Sequence, residues 1–477
     1  MSRPVSDVAV VGAGVVGAAI AAELARRELR VLWLESAHDV CEGASKANSG
    51  IACSGYDIAP DTLESALVRA SSPRWESICG ALDVPFARVG ALALAFGDED
   101  PDGLGRLASQ AAAAEVDAEV VEGPRLRALL AGQAPAARRA LHVPGEGIVD
   151  PIRLTLGWAS LAVRNGAELR RSSPVCGFRR DPGGLISHVE TGSEALEVRA
   201  VVNAAGVRAD EVSRSAGAEE LISWPRKGQF LLLDRALGER VPRILATIPA
   251  GHGRGVLAVP TTNRTVLLGP TAVDGSDRED TATDEDTFER LLSDARRLVP
   301  GADRAHLIKT FAGLRPAGEP TYRIERSRLV PNLVHVAGIR STGVSSAPAV
   351  AELVCRLLGD AGVEAPVRAR AVAPLPRVNR LAELPSERID AVADPEARSV
   401  VCACEHVTVA EIRAACGGPV PATSLAGVRK RTRAMAGRCP GACCQADVGA
   451  ILAAERGYVP SQVPFGEPGS EWGVVGG

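Results

Sequence analysis

The hydrophobic rhythm of the chain changes three times within its first thirty-five residues. DVAVV (7–11) is an apolar run that predicts a buried strand, and GAGVVG (12–17) predicts a turn. AAIAAELARRE (18–28) predicts a helix, and LRVLWLE (29–35) a second strand, so the segment reads as a βαβ unit. A Pro/Gly-bounded section follows at roughly 84–150 and contains LGRLASQAAAAEVDAEVV (104–121), which reads as helical. KGQFLLLD (227–234) and GVLAVPTTNRTVLLGPTA (255–272) alternate with a period of two and predict an antiparallel sheet. The acidic run DGSDREDTATDEDTFERLL (274–292) reads as a solvated loop leading into a helix.

Prolines recur at 366, 374, 376, 385 and 395 among charged residues, which marks a linker over 366–397. A compact unit spans 398–455, with a tail at 456–477. The expected organisation is therefore a large N-terminal region, 1–365, with a substrate subdomain interleaved at roughly 84–150 and 220–310. At 477 residues the chain is long for one core, and an apolar content of 46% is enough to fill several.

A net charge of −4 and the lack of any long basic run exclude a nucleic-acid partner. Lysine occurs only at 46, 227, 309 and 430, so arginine is the default cation and an isolated one says little. The opening apolar run is not expected to be a signal or a membrane span, because Asp7 opens it, Glu23 interrupts it and no basic region precedes it. The thiols are then expected in a reducing cytoplasm, where disulfides do not persist. Six of the eleven cysteines fall between 402 and 444, which makes a site of them.

Gly12, Gly14 and Gly17 satisfy G-x-G-x-x-G between a strand and a helix. The first glycine permits the turn, the second lets a pyrophosphate approach the backbone, and the third lets helix and strand pack closely. Phosphate then meets the free N–H groups of the helix start. Glu35 ends the second strand, where its carboxylate can accept both ribose hydroxyls. A dinucleotide site follows, although this unit alone does not separate FAD from NAD.

GASKANSGIACSGYD (43–57), VVNAAGVRADEV (201–212), FAGLRPAG (311–318) and HVAGIRSTGVSSAPAVAELV (335–354) occur in this order. Together they resemble the D-amino-acid-oxidase-like superfamily of FAD-dependent oxidoreductases. Within it they are most similar to flavoprotein subunits of anaerobic glycerol-3-phosphate dehydrogenases and to L-2-hydroxyglutarate oxidases. The resemblance implies an α/β fold: a Rossmann-type, doubly wound FAD domain with an antiparallel substrate sheet. It places Ser45, Asn48 and Ser49 along the pyrophosphate and flavin. Ala205 and Gly206 end a strand in small residues against which a flat cofactor can lie, and Gly338 and Gly343 permit close approach before a helix.

Such enzymes take a hydride from a carbon bearing a hydroxyl or amino group beside an anionic handle. The site needs a cation for the handle and an acceptor for the proton. The resemblance puts Arg315 at the anion-binding position, with Arg340 a second candidate and Lys227 a third. Relatives carry His where this chain has Cys53, which leaves open a thiolate base, a thioether tether to flavin, or a small buried residue. His252, in a Gly-rich segment, is a candidate replacement base.

VCACEH (401–406) and RCPGACC (438–444) supply Cys402, Cys404, Cys439, Cys443 and Cys444, with 34 residues between Cys404 and Cys439. Four thiolates in two loops suit a [2Fe–2S] cluster; zinc is the rival, although C-x-C is tight for structural zinc. CACEHVTVAEI and VRKRTRAMAGRC resemble BFD-like (bacterioferritin-associated-ferredoxin-like) [2Fe–2S] domains, whose spacing selects Cys439 and Cys444 as the last two ligands. Thr408 and Glu411 form a T-x-x-E capping box, so a helix is expected from 409. Arg429, Lys430, Arg431, Arg433 and Arg438 are placed to offset the cluster's charge, or to form a solvated basic helix. Cys416 reads as a packing residue at a helix end.

The expected protein is an FAD-dependent dehydrogenase that oxidises a small anionic hydroxy or amino compound. Its electrons leave through the cluster to a one-electron or quinone-linked acceptor, with other subunits or a peripheral membrane partner as its setting. Two alternatives stand beside it: an electron-transfer subunit whose chemistry needs other chains, and a non-enzymatic iron–sulfur redox protein. The intact glycine and glutamate set argues against the last.

Overall fold

The computed structural model describes residues 5–97, 102–248, 255–369, 378–389 and 392–471. The predicted βαβ unit forms as strand Ser6–Val11, helix Val15–Ala25 and strand Val31–Leu34. The two strands pair in parallel, and Ala195–Asn203 adds in parallel on the other side of Ser6–Val11. Glu168–Arg170 and Leu333–Ala337 extend the parallel run, and a hairpin, Val175–Arg180 with Ile186–Thr191, completes it at one edge.

The helix Val15–Ala25 is apolar nearly all round because it is covered nearly all round. Helices Pro151–Arg164 and Gly343–Asp360 both pack on it, and its alanines let them approach. At its start the backbone is in contact with itself. A Cβ on Gly17 would lie 2.1 Å from the Gly12 carbonyl oxygen, and one on Gly12 would lie 2.5 Å from that of Ala204. Gly12 also takes φ +103, which side chains rarely tolerate.

A second, largely antiparallel sheet holds the substrate side. Its long central strands, Ser223–Leu233 and Leu307–Gly318, run antiparallel along their whole length. It also recruits Ala91–Ala95, Glu119–Glu122 and Arg139–Val143. Here the helical reading of 104–121 needs correction: the helix is Gly103–Ala113, and the chain then turns through Glu115 at φ +55. Residues 119–122 become a strand because they pair with Arg139–Val143. The acidic run behaves as expected, entering the helix Glu285–Arg296 through an Asp284 cap that accepts from Thr287 N.

The C-terminal unit packs helices Val409–Gly417, Leu425–Thr432 and Gln445–Arg456 around Ile412, Val428, Val448 and Leu452. Its first helix starts at the Thr408–Glu411 capping box, and Cys416 is buried one residue before its end. In the stretch 366–397, Arg368 and Arg380 tie the chain to the large region, whereas helix Pro395–Arg398 packs on the C-terminal unit. Arg368 donates to the carbonyls of Arg27, Leu29 and Asn165, and Arg380 pairs with Asp83 at 2.8 Å. Among the described residues no helix is long and apolar enough to cross a membrane.

Gly17→Ala forces the Gly12 turn away from the helix. We expect it to cost about 1–3 kcal/mol, the usual range for overpacking, and to lower flavin content at purification. Urea unfolding and the absorbance ratio of flavin to protein check both.

Candidate cofactor and substrate sites

The Gly-rich loop is held open by side chains that take its neighbours' hydrogen bonds. Glu35 accepts from Ala13 N at 2.6 Å and from Ala37 N at 2.8 Å, and Ser45 Oγ accepts from Val15 N at 2.9 Å. Burial pushes the Glu35 carboxyl up from its ordinary range, against the pull of those two N–H groups. Gly14 caps the helix without a side chain, so first-turn N–H groups remain for an anion. Asn48 holds Gly50 N at 2.8 Å and shapes the turn that carries Ser49.

The substrate sheet comes down on this loop through glycine. Gly228 and Gly313 face each other across the two long strands. A Cβ on Gly313 would meet the Ala47 methyl at 2.6 Å. Loop and sheet thus form a cradle with no side chain in the way, which suits a planar ring system. Ala205 and Gly206 follow the strand that closes over Gly12, and Asn203 braces them by donating to Ala209 O at 2.7 Å. Gly338, at φ +71, and Gly343 sit where a Cβ would meet Thr321 O at 2.5 Å and Ile339 at 3.0 Å respectively. The residues present therefore fit a dinucleotide carrying a flat ring.

The helix that follows, Gly343–Asp360, is tied to the Cys53 segment. Ser345 Oγ accepts from Cys53 N at 2.9 Å and donates to Ile51 O at 3.1 Å. Cys53 is 4% exposed, lies in an apolar cluster and lines a cavity of about 20 Å³, room for about one water. It does not line the larger cleft. His252 lies outside the described residues.

That cleft, about 640 Å³, is lined by four guanidinium groups, Arg106, Arg226, Arg315 and Arg340, with the carboxylates Asp57 and Glu64. Arg226 and Arg315 are direct cross-strand neighbours. Arg226 is held by Asp274 and Arg315 by Thr271 O at 2.6 Å. Arg340 pairs with Glu64 at 3.3 Å, and Glu64 also accepts from the Thr342 hydroxyl at 2.5 Å. Lys227 is not part of the cleft: strand alternation turns it away, and it pairs with Asp280 at 2.8 Å. Arg106 and Arg226 were not singled out in the sequence. Arg226 sits beside Lys227 in RKGQ and its inward face follows only from the register with Arg315, while Arg106 occupies an ordinary helix among many arginines.

The cysteines of the C-terminal unit come together. Cys402 and Cys444 are buried in one cluster, against which Cys404 packs, and Cys404 and Cys439 are 3.6 Å apart at sulfur. Two thiolates on one tetrahedral metal with bonds of about 2.3 Å are separated by close to that distance. The Cys404–Cys439 pair fits one iron of a binuclear cluster, which takes two protein thiolates per iron. N–H groups of Cys443 and Gly441 help pull the Cys439 thiol down to about 7, while burial pushes Cys444 up to about 12. Cys402 and Cys444 are buried, whereas Cys443 is exposed.

Of the basic run 429–438, Arg429 is solvent-exposed, while the other basic residues reach carboxylate partners. Lys430 and Arg431 reach into the large region to Asp39, and Arg438 reaches Asp234 at 2.9 Å. Arg433 pairs with Glu405, which is also held by Arg235 of the large region at 3.0 Å.

Comparison with known proteins agrees with this geometry. Residues 7–357 match the model of the FAD dependent oxidoreductase family, and residues 400–454 that of the BFD-like [2Fe-2S] binding domain. The chain is similar to a glycerol 3-phosphate dehydrogenase of Caloramator mitchellensis, 31% identical over 468 residues and 97% of each chain. It is also similar to one of the subunits of the anaerobic glycerol-3-phosphate dehydrogenase of Escherichia coli K12, at 26% identity over 94% of this chain and 88% of that one. Among solved structures it resembles the FAD-bound L-alpha-glycerophosphate oxidase of Mycoplasma pneumoniae, with a TM-score of 0.74 and 25% identity over 79% of this chain and all of that one. Dinucleotide cradle, paired thiols and matched families lead to one statement: this chain belongs to the FAD-dependent oxidoreductases and carries a BFD-like [2Fe–2S] domain behind its flavoprotein region.

Proposed function

We propose that the chain is a glycerol-3-phosphate dehydrogenase whose phosphate site is the arginine cleft. The observation that carries this reading is the Arg226–Arg315 pair. Like charges directly opposite on neighbouring strands destabilise a sheet, and Asp274, the carboxylate paired with Arg226, is partly exposed. An anion between them turns the repulsion into two charge-assisted contacts, and guanidinium forks match phosphate oxygens in geometry. Arg340 adds a third donor set from the opposite wall, held in place by Glu64. The glycerol 3-phosphate enzymes to which the chain is similar support the same substrate.

The proposed FAD contacts are Gly12, Gly14 and Gly17 with the helix start, Glu35, Ser45, Asn48, Ser49, Ala205, Gly206, Gly338 and Gly343. Cys402, Cys404, Cys439 and Cys444 are the proposed cluster ligands, with Cys443 outside the set. When bound, FAD takes two electrons from the substrate carbon and the cluster passes single electrons onward. The chain's own part is to grip the phosphate, to hold the alcohol carbon against the glycine-flat cradle, and to keep water out of it. A one-electron or quinone-linked acceptor on other subunits is the proposed destination; the Escherichia coli relative, itself one subunit of its enzyme, supports that setting.

Anaerobic addition of glycerol 3-phosphate to the purified holoprotein is expected to bleach the flavin bands and then raise a reduced-cluster EPR signal. If dithionite bleaches the flavin and glycerol 3-phosphate does not, the substrate assignment is wrong. Arg315→Met removes one charge-assisted contact, worth roughly 1.5–3 kcal/mol. We expect KM for glycerol 3-phosphate to rise about 10–100-fold with a smaller change in kcat, read in steady-state assays with a dye acceptor. For the cluster, Cys443→Ser should retain full iron and labile sulfide, whereas Cys439→Ser or Cys444→Ser should lose both.

A further inference from the structure

The loop between Glu35 and Ser49 faces two ways. On one side it shapes the dinucleotide site: Cys41 N donates to Ala13 O at 2.9 Å, and Ser45 Oγ holds Val15 N. On the other side it is gripped by the C-terminal domain. Lys430 Nζ lies 2.8 Å from Asp39, donates to Val40 O at 2.9 Å and pairs with Glu42. Arg431 meets both oxygens of Asp39, at 2.8 and 2.9 Å. Asp39 is 1% exposed, and the Lys430 and Arg431 side chains are 8% exposed. This is a buried ionic cluster, not a surface contact.

The shape of this loop depends on what grips it. Cys41 carries a side chain yet sits at φ +62, a conformation that persists only where its surroundings over-determine it. The carbonyl just before it, on Val40, is the one that Lys430 holds. Removing one partner from a buried ion cluster leaves an uncompensated charge. Asp39 would keep Arg171, a large-region residue, at 3.3 Å. Without Lys430, however, the Val40 carbonyl loses its donor, and without Arg431 Asp39 loses its two-point hold on the C-terminal domain. Either loss loosens the backbone at Val40 and Cys41.

We infer that Lys430 and Arg431 are positioning residues for the FAD site: the iron–sulfur domain clamps the 38–46 loop from outside, and full FAD affinity requires that clamp. Neither residue needs to touch the cofactor. Because coupling between sites is reciprocal, bound FAD in turn holds the iron–sulfur domain in its docked position. Docking and flavin binding then form one cooperative unit.

The test uses the full chain, deflavinated and titrated with FAD, with amide exchange followed over 38–46. Lys430→Met and Arg431→Met are expected to weaken FAD binding tenfold or more and to speed exchange in the loop, with cluster content by EPR unchanged. Lys430→Arg, which keeps the charge, should stay within threefold of the parent. Arg413→Met is the control, since Arg413 pairs with Glu455 of the C-terminal domain and with Glu396 of the short helix packed on it, and among the described residues with nothing in the large region; it should leave FAD affinity within twofold. Should Lys430→Met not fold, Asp39→Asn, which removes the clamp's charge at nearly the same side-chain volume, carries the same expectation of weaker FAD binding and faster loop exchange. An FAD affinity unchanged within twofold in the clamp variants overturns the inference, as does an equal loss in Arg413→Met.

Discussion

Backbone contact at the Gly-rich loop is the constraint on which the rest depends. The turn at Gly12 touches the Ala204 carbonyl, and Gly17 touches the turn. Strand Ser6–Val11, strand Ala195–Asn203 and helix Val15–Ala25 are therefore locked at distances only glycine allows. The helix start is thereby aimed along the cradle, and every other part is placed relative to it. Glu35 bonds the loop at Ala13, Ser45 bonds it at Val15, and the substrate sheet settles through Gly313 onto the same segment at Ala47.

From that fixed point two electrostatic arrangements diverge. In the cleft, guanidinium groups from separate elements, Arg106, Arg226, Arg315 and Arg340, line one space with Asp57 and Glu64, the arrangement proposed above to take an anionic ligand. At the domain seam the balance is internal: Asp39 and Glu42 neutralise Lys430 and Arg431 in a buried cluster. Guanidinium groups serve both places. What separates a binding site from a strut is whether the partner charge belongs to the chain.

The cofactor sites were legible in the sequence because each is nearly local. Gly12, Gly14, Gly17 and Glu35 lie on one βαβ unit, and the cluster thiols lie on two short loops with a capping box between them. The helical reading of 104–121 failed at Glu119–Glu122, where EVVE, two β-branched valines between glutamates, was captured as a strand by Arg139–Val143. The resemblance offers Lys227 as a third anion-binding candidate, yet its strand neighbour Arg226 lines the cleft. Neighbours on a strand point to opposite faces, and which face looks inward depends on the pairing partner. Arg106 carried no local signal in a chain so rich in arginine.

The sequence by itself determined which groups are present: a dinucleotide turn on contiguous residues, five thiols in two short loops and an arginine-bearing segment that the family resemblance marks. Only the tertiary structure decided what those groups face. The Arg226–Arg315 opposition exists because two strands distant in the chain pair in one register. Asp39 meets Arg431 across 392 positions of sequence. Such contacts leave no periodicity to read, since a buried ion pair between domains is set by where two folded surfaces come to rest.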